Sequence, residues 1–343
     1  RELGRPVRWT DMRSESFVSD HHGRDMLFDA ELAIDAEGNF LATRLVGTGN
    51  LGAYTTVVSP LMSSGLVMRN SVGMYRTPLV EAATRSVLTN TTPIGAYRGA
   101  GRPEGNFIME RLIEEAARIS GLSSVDLRLK NCIRADEMPF TTAVGTVYDS
   151  GDFAPLIRRA LEAADWDGFA ARKADSEGRG LVRGRGIGAY LEITAAPANE
   201  MGGLTFNADG TVTIVTGTLD FGQGHGTVLA QVLNTHLSVP FDKVRLVQGD
   251  SDRLVAGGGT GGSKSMMASG AAVLEAAQEV VAKGRKLASH LLEAAEADIE
   301  FADGRFSVAG TDRGIGVMEL AARLRVSPPP ADLPQSLDVT HVH

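Results

Sequence analysis

The stretch from Gly95 to Glu104, GAYRGAGRPE, places Arg98 between an aromatic residue and a run of glycine and alanine. Gly99 and Gly101 tolerate positive φ, and Pro103 suits the first turn of a helix, so the stretch predicts a turn from a strand into a helix. Glycines also remove side chains, which would let a ligand approach the backbone beside the guanidinium of Arg98. The residues alone leave both interpretations open.

Two further glycine-rich loops have the composition of anion sites. The first, Gly222 to Thr227 (GQGHGT), lies between a predicted strand and a predicted helix, where backbone N–H groups favour a phosphate or an oxo group. The second, Gly257 to Ser265 (GGGTGGSKS), adds the ammonium group of Lys264 and nearby hydroxyls. Neither loop matches a P-loop or a dinucleotide-binding fingerprint. A purely structural turn remains the alternative for each loop.

The sequence offers few residues for metal or thiol chemistry. No second His, Cys or carboxylate lies at ligand spacing from His225, and the pair His21 and His22 has no partner motif, so we expect no metal held by protein side chains. Cys132 is the only cysteine and lies in an apolar helical pattern, which predicts a buried, inert thiol. One cysteine also excludes an internal disulfide and an iron–sulfur cluster held by this chain alone.

Hydrophobic periodicity predicts the elements that must position these loops. A hairpin is predicted over residues 28–46, and a helix over 107–121 follows the Arg98 loop. The other predicted elements are helices over 125–133, 153–172, 227–237 and 266–295, strands over 186–193, 243–250, 299–301 and 305–308, a hairpin over 202–218, and a charged surface linker over 172–180. The order strand, glycine loop, helix, strand predicts an α+β fold.

Length and charge limit the class of protein. With 343 residues, of which 43% are hydrophobic, the chain can build a large core and is expected to form two domains. A net charge of -8 without runs of Lys or Arg argues against nucleic acid or an anionic membrane surface as the main partner. No apolar run has the length of a membrane span, and the first residues contain no signal-peptide core. These features predict a cytoplasmic protein.

A series of longer motifs runs along nearly the whole chain: LGRPVRW, HHGR, IGAYRGAGRPEGNFIMERLIEEAA, DLRLKN, DGTVTIVTGTLDFGQGHGTVLAQVL, VPFDKVRLVQGDSD and GGGTGGSKS. Through these motifs, in this order, the chain resembles the molybdenum-binding large subunit of the xanthine dehydrogenase, aldehyde oxidase and carbon monoxide dehydrogenase family. The resemblance implies two elongated α/β subdomains, which we expect at residues 1–145 and 150–343.

The resemblance also implies roles for the three loops. The Arg98 loop lies beside the molybdenum in that family, where a guanidinium orients substrate and stabilises developing negative charge. Arg98 is therefore implied to be catalytic. The implied cofactor is molybdopterin cytosine dinucleotide, the usual bacterial form. The residues implied to bind it are Ala96, Tyr97, Gly99, Gly222, Gln223, Gly224, His225, Thr227, Gly261, Gly262, Ser263, Lys264 and Ser265.

The resemblance further implies an enzyme that hydroxylates an aldehyde or N-heterocycle with water as the oxygen source. A [2Fe-2S] small subunit and an FAD medium subunit would be its partners, in a dimer of heterotrimers. Carbon monoxide is not expected as substrate, because true carbon monoxide dehydrogenases carry a copper-binding cysteine where this loop reads Arg98-Gly99-Ala100-Gly101.

The resemblance places two family features outside the 343 residues. These are a Gly-Gly-Gly-Phe-Gly motif of the cofactor site and the glutamate that acts as general base. We therefore expect a central fragment that is inactive alone. The rival hypothesis is a non-catalytic piece that serves cofactor binding or a subunit interface.

Overall fold

A computed structural model of the protein describes residues 2–194 and 199–343. The chain forms two compact units, Arg1–Ile193 and Thr194–His343, and both contain helices and sheets, which confirms the predicted α+β class. Within the described ranges no helix combines the length and the apolarity that crossing a bilayer requires.

The first unit is built on a three-stranded sheet. Strand β2 pairs antiparallel with β1, as the predicted hairpin, and parallel with β3. The strands are β1 (Met26–Ile34), β2 (Phe40–Gly52), β3 (Leu79–Leu88), β4 (Phe140–Thr141) and β5 (Val147–Tyr148). The helices are α1 (Arg13–Ser19), α2 (Ser59–Leu61), α3 (Val67–Asn70), α4 (Arg102–Ser120), α5 (Ser124–Asn131), α6 (Phe153–Ala163) and α7 (Phe169–Gly178), and a π-helical turn, Met62–Leu66, joins α2 to α3.

Helix α4 confirms the helix predicted after the Arg98 loop. Gly101 precedes it at φ 87° and Pro103 lies in its first turn, while Gly121 ends it at φ 73°. Its buried residues Met109 and Ile113 pack in the core of the first unit. The Arg98 loop is therefore attached to a well-packed helix of five turns.

Two predictions for the region after α5 were wrong. The helix predicted over 153–172 is divided into α6 and α7, because Asp165 takes a positive φ of 44° between them. The predicted linker over 172–180 lies mostly within α7, whose Ser176 is buried. Phe153 and Ile157 of α6 pack into the first core, and the compact first unit extends to Ile193.

The strand predicted over 186–193 is also absent, although the segment runs without turns. Its backbone is hydrogen-bonded by side chains of α4 and not by a neighbouring strand. Ala189 N–H donates to Glu110 Oε2 (2.9 Å), Asn106 Nδ2 donates to Leu191 O (3.3 Å) and Arg102 Nε donates to Ile193 O (2.7 Å). Side chains of helix α4 thus form the hydrogen bonds that a neighbouring strand would provide to these backbone groups in a sheet.

The second unit contains a four-stranded sheet in the order β12-β6-β7-β8. The predicted hairpin β6–β7 is antiparallel, β8 lies parallel to β7, and β12 pairs antiparallel with β6. The strands are β6 (Met201–Phe206), β7 (Val212–Thr216), β8 (Val244–Gln248), β9 (Ile299–Ala302), β10 (Arg305–Val308), β11 (Gly314–Gly316) and β12 (Val339–Val342). The helices are α8 (His225–Leu237), α9 (Ala271–Leu291) and α10 (Val317–Val326).

Helix α9 lies unusually close to the sheet. A Cβ on Gly202 of β6 would lie 2.3 Å from the backbone of Ala272, so glycine is required at this contact. The π-helical turn Met266–Gly270 leads into α9, and the second glycine loop comes directly before it. The predicted helix over 266–295 is confirmed, with its last turn at Leu291. The sheet contact therefore fixes where the second loop ends.

Candidate functional site

The Arg98 loop is a tight turn with the arginine side chain on its outside. Gly99, Ala100 and Gly101 all have positive φ, at 91°, 42° and 87°. The N–H of Ala100 donates to the carbonyl of Tyr97 (2.7 Å), and the N–H of Arg102 donates to that of Gly99 (3.2 Å). The side chain of Arg98 is exposed.

The glycines of this loop are needed by the protein itself. A Cβ on Gly99 would lie 2.4 Å from Cγ of Pro103, and a Cβ on Gly101 would lie 2.7 Å from the carbonyl oxygen of Met62. The structural interpretation of the sequence is therefore confirmed at both positions. It is compatible with a functional role, because none of these contacts uses the guanidinium of Arg98.

A second arginine, Arg24, holds the loop in place. Its guanidinium lies 4.9 Å from the ring centroid of Tyr97, donates to the carbonyl of Arg98 and forms an ion pair with Glu104 (3.3 Å). Within residues 2–194 and 199–343 the structure gives the guanidinium of Arg98 no protein partner. The loop thus presents one fixed, unpaired cation to an incoming group.

The first glycine loop follows β7 and is occupied by a carboxylate of its own chain. Asp220 accepts the N–H groups of Gly222 (2.8 Å), Gln223 (2.7 Å), Gly224 (3.3 Å) and His225 (2.8 Å). These bonds, that from Gly222 foremost, lower the pKa of Asp220 below its ordinary value. The backbone groups predicted as an open anion cradle do recognise an anion, and in this structure that anion is Asp220.

The side chains of this loop differ in exposure. Gln223 is exposed and accepts the N–H of Phe221 through its Oε1 atom. His225 is buried, and its Nδ1 lies 3.2 Å from Nε2 of Gln248, which also donates to Oγ1 of Thr218 (2.8 Å). A ligand can thus reach the side chains of Gln223 and of Thr227, which is also exposed, while His225 packs inside the unit.

The second glycine loop lies against residues 217–219, which lead from β7 into the first glycine loop. Thr260 donates its hydroxyl to the carbonyl of Leu219 (2.7 Å) and accepts the N–H of the same residue (2.9 Å). A Cβ on Gly217 would lie 2.5 Å from Cα of Gly257, and a Cβ on Gly257 would lie 2.6 Å from Cα of Gly217. The structure therefore brings together the two loops that the sequence predicted separately.

The outer side of the second loop is open. A Cβ on Gly259 or Gly261 would meet nothing within 4 Å. Gly262 and Ser263 are exposed at φ 64° and 61°, and Lys264 is half-buried beside them. Ser265 lies within hydrogen-bonding distance of Thr260 (3.2 Å). Bare backbone next to an ammonium group suits a phosphate, so these residues fit an anionic ligand.

The sequence analysis did not single out four residues of this arrangement as site residues. Asp220, Glu200 and Thr260 hold the glycine loops, and Arg24 holds the Arg98 loop. An acid just before a glycine run at a helix start could have identified Asp220, because such residues favour capping positions. Arg24 bonds a residue 74 positions away in sequence, which spacing cannot show.

The described residues contain no group of three His, Cys, Asp or Glu side chains able to hold a metal ion. The thiol of Cys132 is buried, and desolvation raises its pKa to about 11. The predicted burial of this cysteine is therefore confirmed. The Arg98 loop belongs to the first unit and the two glycine loops to the second.

Comparisons with known proteins agree on one family. Residues 1–132 and 159–340 match two families that are both described as molybdopterin cofactor-binding domain. The 6-hydroxypseudooxynicotine dehydrogenase complex subunit gamma of Paenarthrobacter nicotinovorans is 37% identical over 94% of this chain and 41% of its own length. The carbon monoxide dehydrogenase large chain of Hydrogenophaga pseudoflava is 32% identical over 99% of this chain and 44% of its own.

Solved structures give the same result. The Cu,Mo-CO dehydrogenase superposes on the whole chain with a TM-score of 0.89 at 30% identity, covering 45% of that protein's chain. Quinoline 2-oxidoreductase from Pseudomonas putida 86 does so with a TM-score of 0.89 at 31% identity, again over 45% of its chain. The chain spans less than half the length of each of these relatives.

Proposed function

This chain belongs to the family of molybdenum-binding large subunits of xanthine dehydrogenases and carbon monoxide dehydrogenases, and on that premise we propose how it binds cofactor and substrate. Residues 1–132 and 159–340 match molybdopterin cofactor-binding domains. The bound form proposed is molybdopterin cytosine dinucleotide. The subdomain boundary proposed at residues 145–150 lies in the interval between the two matched domains.

The proposal for the cofactor site rests on one observation, the contact between the two glycine loops. The open glycines and Lys264 of the second loop would hold the dinucleotide end, and the amide of Gln223 would face the pterin or the diphosphate. Four N–H groups of the first loop already bind Asp220. The first loop would therefore contribute its Gln223 side chain more than its backbone.

The molybdenum cofactor, when bound, supplies the two-electron redox chemistry of hydroxylation. Arg98 is proposed to orient the substrate and to stabilise negative charge on it. Its guanidinium is suited to this role because Arg24 fixes the loop backbone while Arg98 keeps its five donors unused by the described protein. Ala96, Tyr97 and Gly99 are proposed to line the cofactor beside it.

The proposed substrate is an N-heterocycle or an aldehyde. Relatives named for such compounds include quinoline 2-oxidoreductase and, at 30% identity over 90% of this chain, the nicotine 6-hydroxylase large subunit of Paenarthrobacter nicotinovorans. Carbon monoxide is not proposed, because the Arg98 loop has no cysteine and Cys132 is buried in the core. The names "large chain" and "complex subunit gamma" support partner subunits, which would carry the [2Fe-2S] and FAD centres.

The cofactor proposal is tested by the substitution Gly261→Val in the full-length protein, assembled with its partners. A Cβ at this position meets nothing within 4 Å in the chain, so the protein itself should tolerate it. Gly184→Val is the matched control, since that glycine also faces open space. We expect Gly261→Val to lower the molybdenum and cytidine monophosphate released per chain, and Gly184→Val to leave both unchanged. Equal cofactor content in the two variants would contradict the proposal.

A further inference from the structure

A buried carboxylate, Glu200, connects the two glycine loops. Its side chain is fully buried and accepts the N–H of Gly217 through Oε1 (2.8 Å) and the N–H of Gly258 through Oε2 (3.4 Å). Gly217 comes directly after β7, in the segment that leads into the first loop, and Gly258 belongs to the second loop. We propose that Glu200 is the positioning residue that holds both loops in one arrangement for the cofactor. This inference rests on the proposed function.

Burying the carboxylate of Glu200 costs free energy, so its presence at this position indicates that the carboxylate has a specific role. In the described ranges neither Lys, Arg nor His forms an ion pair with Glu200, so amide groups stabilise its charge. A neutral side chain of similar size would fill the same space with a smaller desolvation penalty. The carboxylate differs from such a side chain in one respect, because each of its oxygens accepts a hydrogen bond and neither donates one. The N–H groups of Gly217 and Gly258 both donate, so they need a side chain with two accepting oxygens.

The position of Glu200 is set by the sheet and not by the loops. Its N–H donates to the carbonyl of His343 (3.2 Å), and its own carbonyl accepts the N–H of His343 (3.0 Å), continuing the pairing of β6 with β12. The backbone of Glu200 is thus anchored next to the first residue of β6, an inner strand of the four-stranded sheet, while its carboxylate reaches the loops. Loop geometry is thereby tied to a rigid element.

Two other contacts join the same segments, and comparison with them shows which constraint the hydrogen bonds of Glu200 add. The reciprocal approach of Gly217 and Gly257 brings the backbones together, and Thr260 bonds both backbone groups of Leu219. The steric contact sets how near the loops come. Glu200 and Thr260 supply the directional bonds that fix their relative orientation. A diphosphate-containing ligand that spans both loops needs that orientation in advance, because ordering the loops on binding would weaken its retention.

The experiment compares Glu200→Gln with Glu300→Gln in the assembled full-length protein. Glu300 is exposed on β9, so it controls for the change in chemistry. Glutamine at 200 would place an N–H₂ group against one of the two amides. We expect amide hydrogen exchange at Gly217 and Gly258 to accelerate about tenfold or more, as for loss of a hydrogen bond to a charged acceptor. Molybdenum and cytidine monophosphate per chain should fall, while exchange in α9 and the melting temperature stay near the parent values.

Several outcomes would overturn the inference. Unchanged exchange at both amides with full cofactor content would do so, and so would a uniform acceleration that includes α9, because that result indicates general destabilisation. If parent protein holds no molybdenum, the proposed function fails, while the exchange data still test Glu200.

A second pair of variants covers the case in which Glu200→Gln does not fold. Thr260→Val removes both bonds to Leu219, and Thr260→Ser keeps the hydroxyl that makes them. If the loops must be joined for the cofactor, Thr260→Val loses cofactor content and Thr260→Ser retains it. Equal content in these two variants would contradict the requirement for joined loops, and with it the role of Glu200.

Discussion

At the scale of single residues, Arg24 and Arg98 have different roles at the same loop. The guanidinium of Arg24 contacts groups of the protein itself, namely the ring of Tyr97, the carbonyl of Arg98 and the carboxylate of Glu104. Arg98 makes none of these contacts and is exposed. A rigid backbone below an unused guanidinium is the arrangement expected of a preorganised charge stabiliser.

The substitution Arg98→Lys in the assembled enzyme tests that role. Lysine keeps the charge but loses the planar two-point contact, so turnover per bound molybdenum should fall. Loss of one preorganised donor costs about 2.7 to 4 kcal/mol in the transition state, and lysine should cost less. Arg85→Lys, on an exposed position of β3, is the control. A lower melting temperature with normal turnover would instead assign Arg98 a structural role.

Asp220 should give the first glycine loop a defined pH dependence. Its pKa is lowered in the folded protein, so the stabilisation is present above the unfolded value of about 3.9 and is lost as pH falls through the folded value. Amides 222–225 should therefore exchange faster in Asp220→Asn than in the parent at neutral pH. This difference should persist below the unfolded value of about 3.9 and vanish only as pH falls through the lowered pKa of Asp220.

The control for this measurement is Asp312→Asn, at an exposed position outside the glycine loops. It should exchange like the parent at amides 222–225 at every pH. A parent-to-Asp220→Asn difference that remains after the carboxyl of Asp220 has been titrated to its neutral form would show that the carboxylate charge is not responsible.

At the scale of elements, the sequence predicted those structures whose signals are local. The hairpins and α4, α8 and α9 follow from hydrophobic period, turn residues and terminal glycines. The strand over 186–193 was wrong because its backbone partners are side chains of α4, about 80 positions earlier. The boundary between α6 and α7 was missed because a non-glycine residue, Asp165, adopts positive φ there.

The same reasoning applies to the candidate site. Glycine composition located both loops of the second unit, because bare backbone is a local property. Their contact through Thr260 and Glu200 joins positions 41 and 58 residues apart, so no local pattern could predict it. The roles of the individual site residues remain predictions until the variants are measured.

A buried ion pair joins helices α4 and α5, and its loss should lower the free energy of unfolding. Arg128 is fully buried and bonds Glu110 (2.9 Å) and Glu114 (2.8 Å), and Glu110 also accepts the hydroxyl of Tyr75 (2.6 Å). Glu110→Gln should lower the free energy of unfolding by about 3 kcal/mol, the low end for breaking a buried pair. Glu114 is 39% exposed, so Glu114→Gln should cost less than about 1 kcal/mol. Equal decreases in the free energy of unfolding for the two variants, measured by urea denaturation, would contradict this ranking.

At the scale of the whole molecule, the chain is less than half of the proteins it resembles. We expect the isolated 343 residues not to hydroxylate aldehydes or N-heterocycles after reconstitution with cofactor. The family resemblance places the general base outside them, and its absence lowers the rate about a hundredfold or more. The assay compares turnover per molybdenum in the isolated chain and in the assembled enzyme, and robust turnover by the isolated chain would contradict the expectation.

The contact of Arg185 with Trp166 has a practical consequence for spectroscopy. The guanidinium lies 4.1 Å from the ring centroid and donates to the carbonyl of Trp166 (2.7 Å), directly before the 186–193 segment that α4 holds. The chain has only two tryptophans, and the other, Trp9, is 75% exposed. In a Trp9→Phe background, Trp166 emission should therefore shift when the segment detaches. Fluorescence would then follow, without an added dye, the docking of the segment on helix α4.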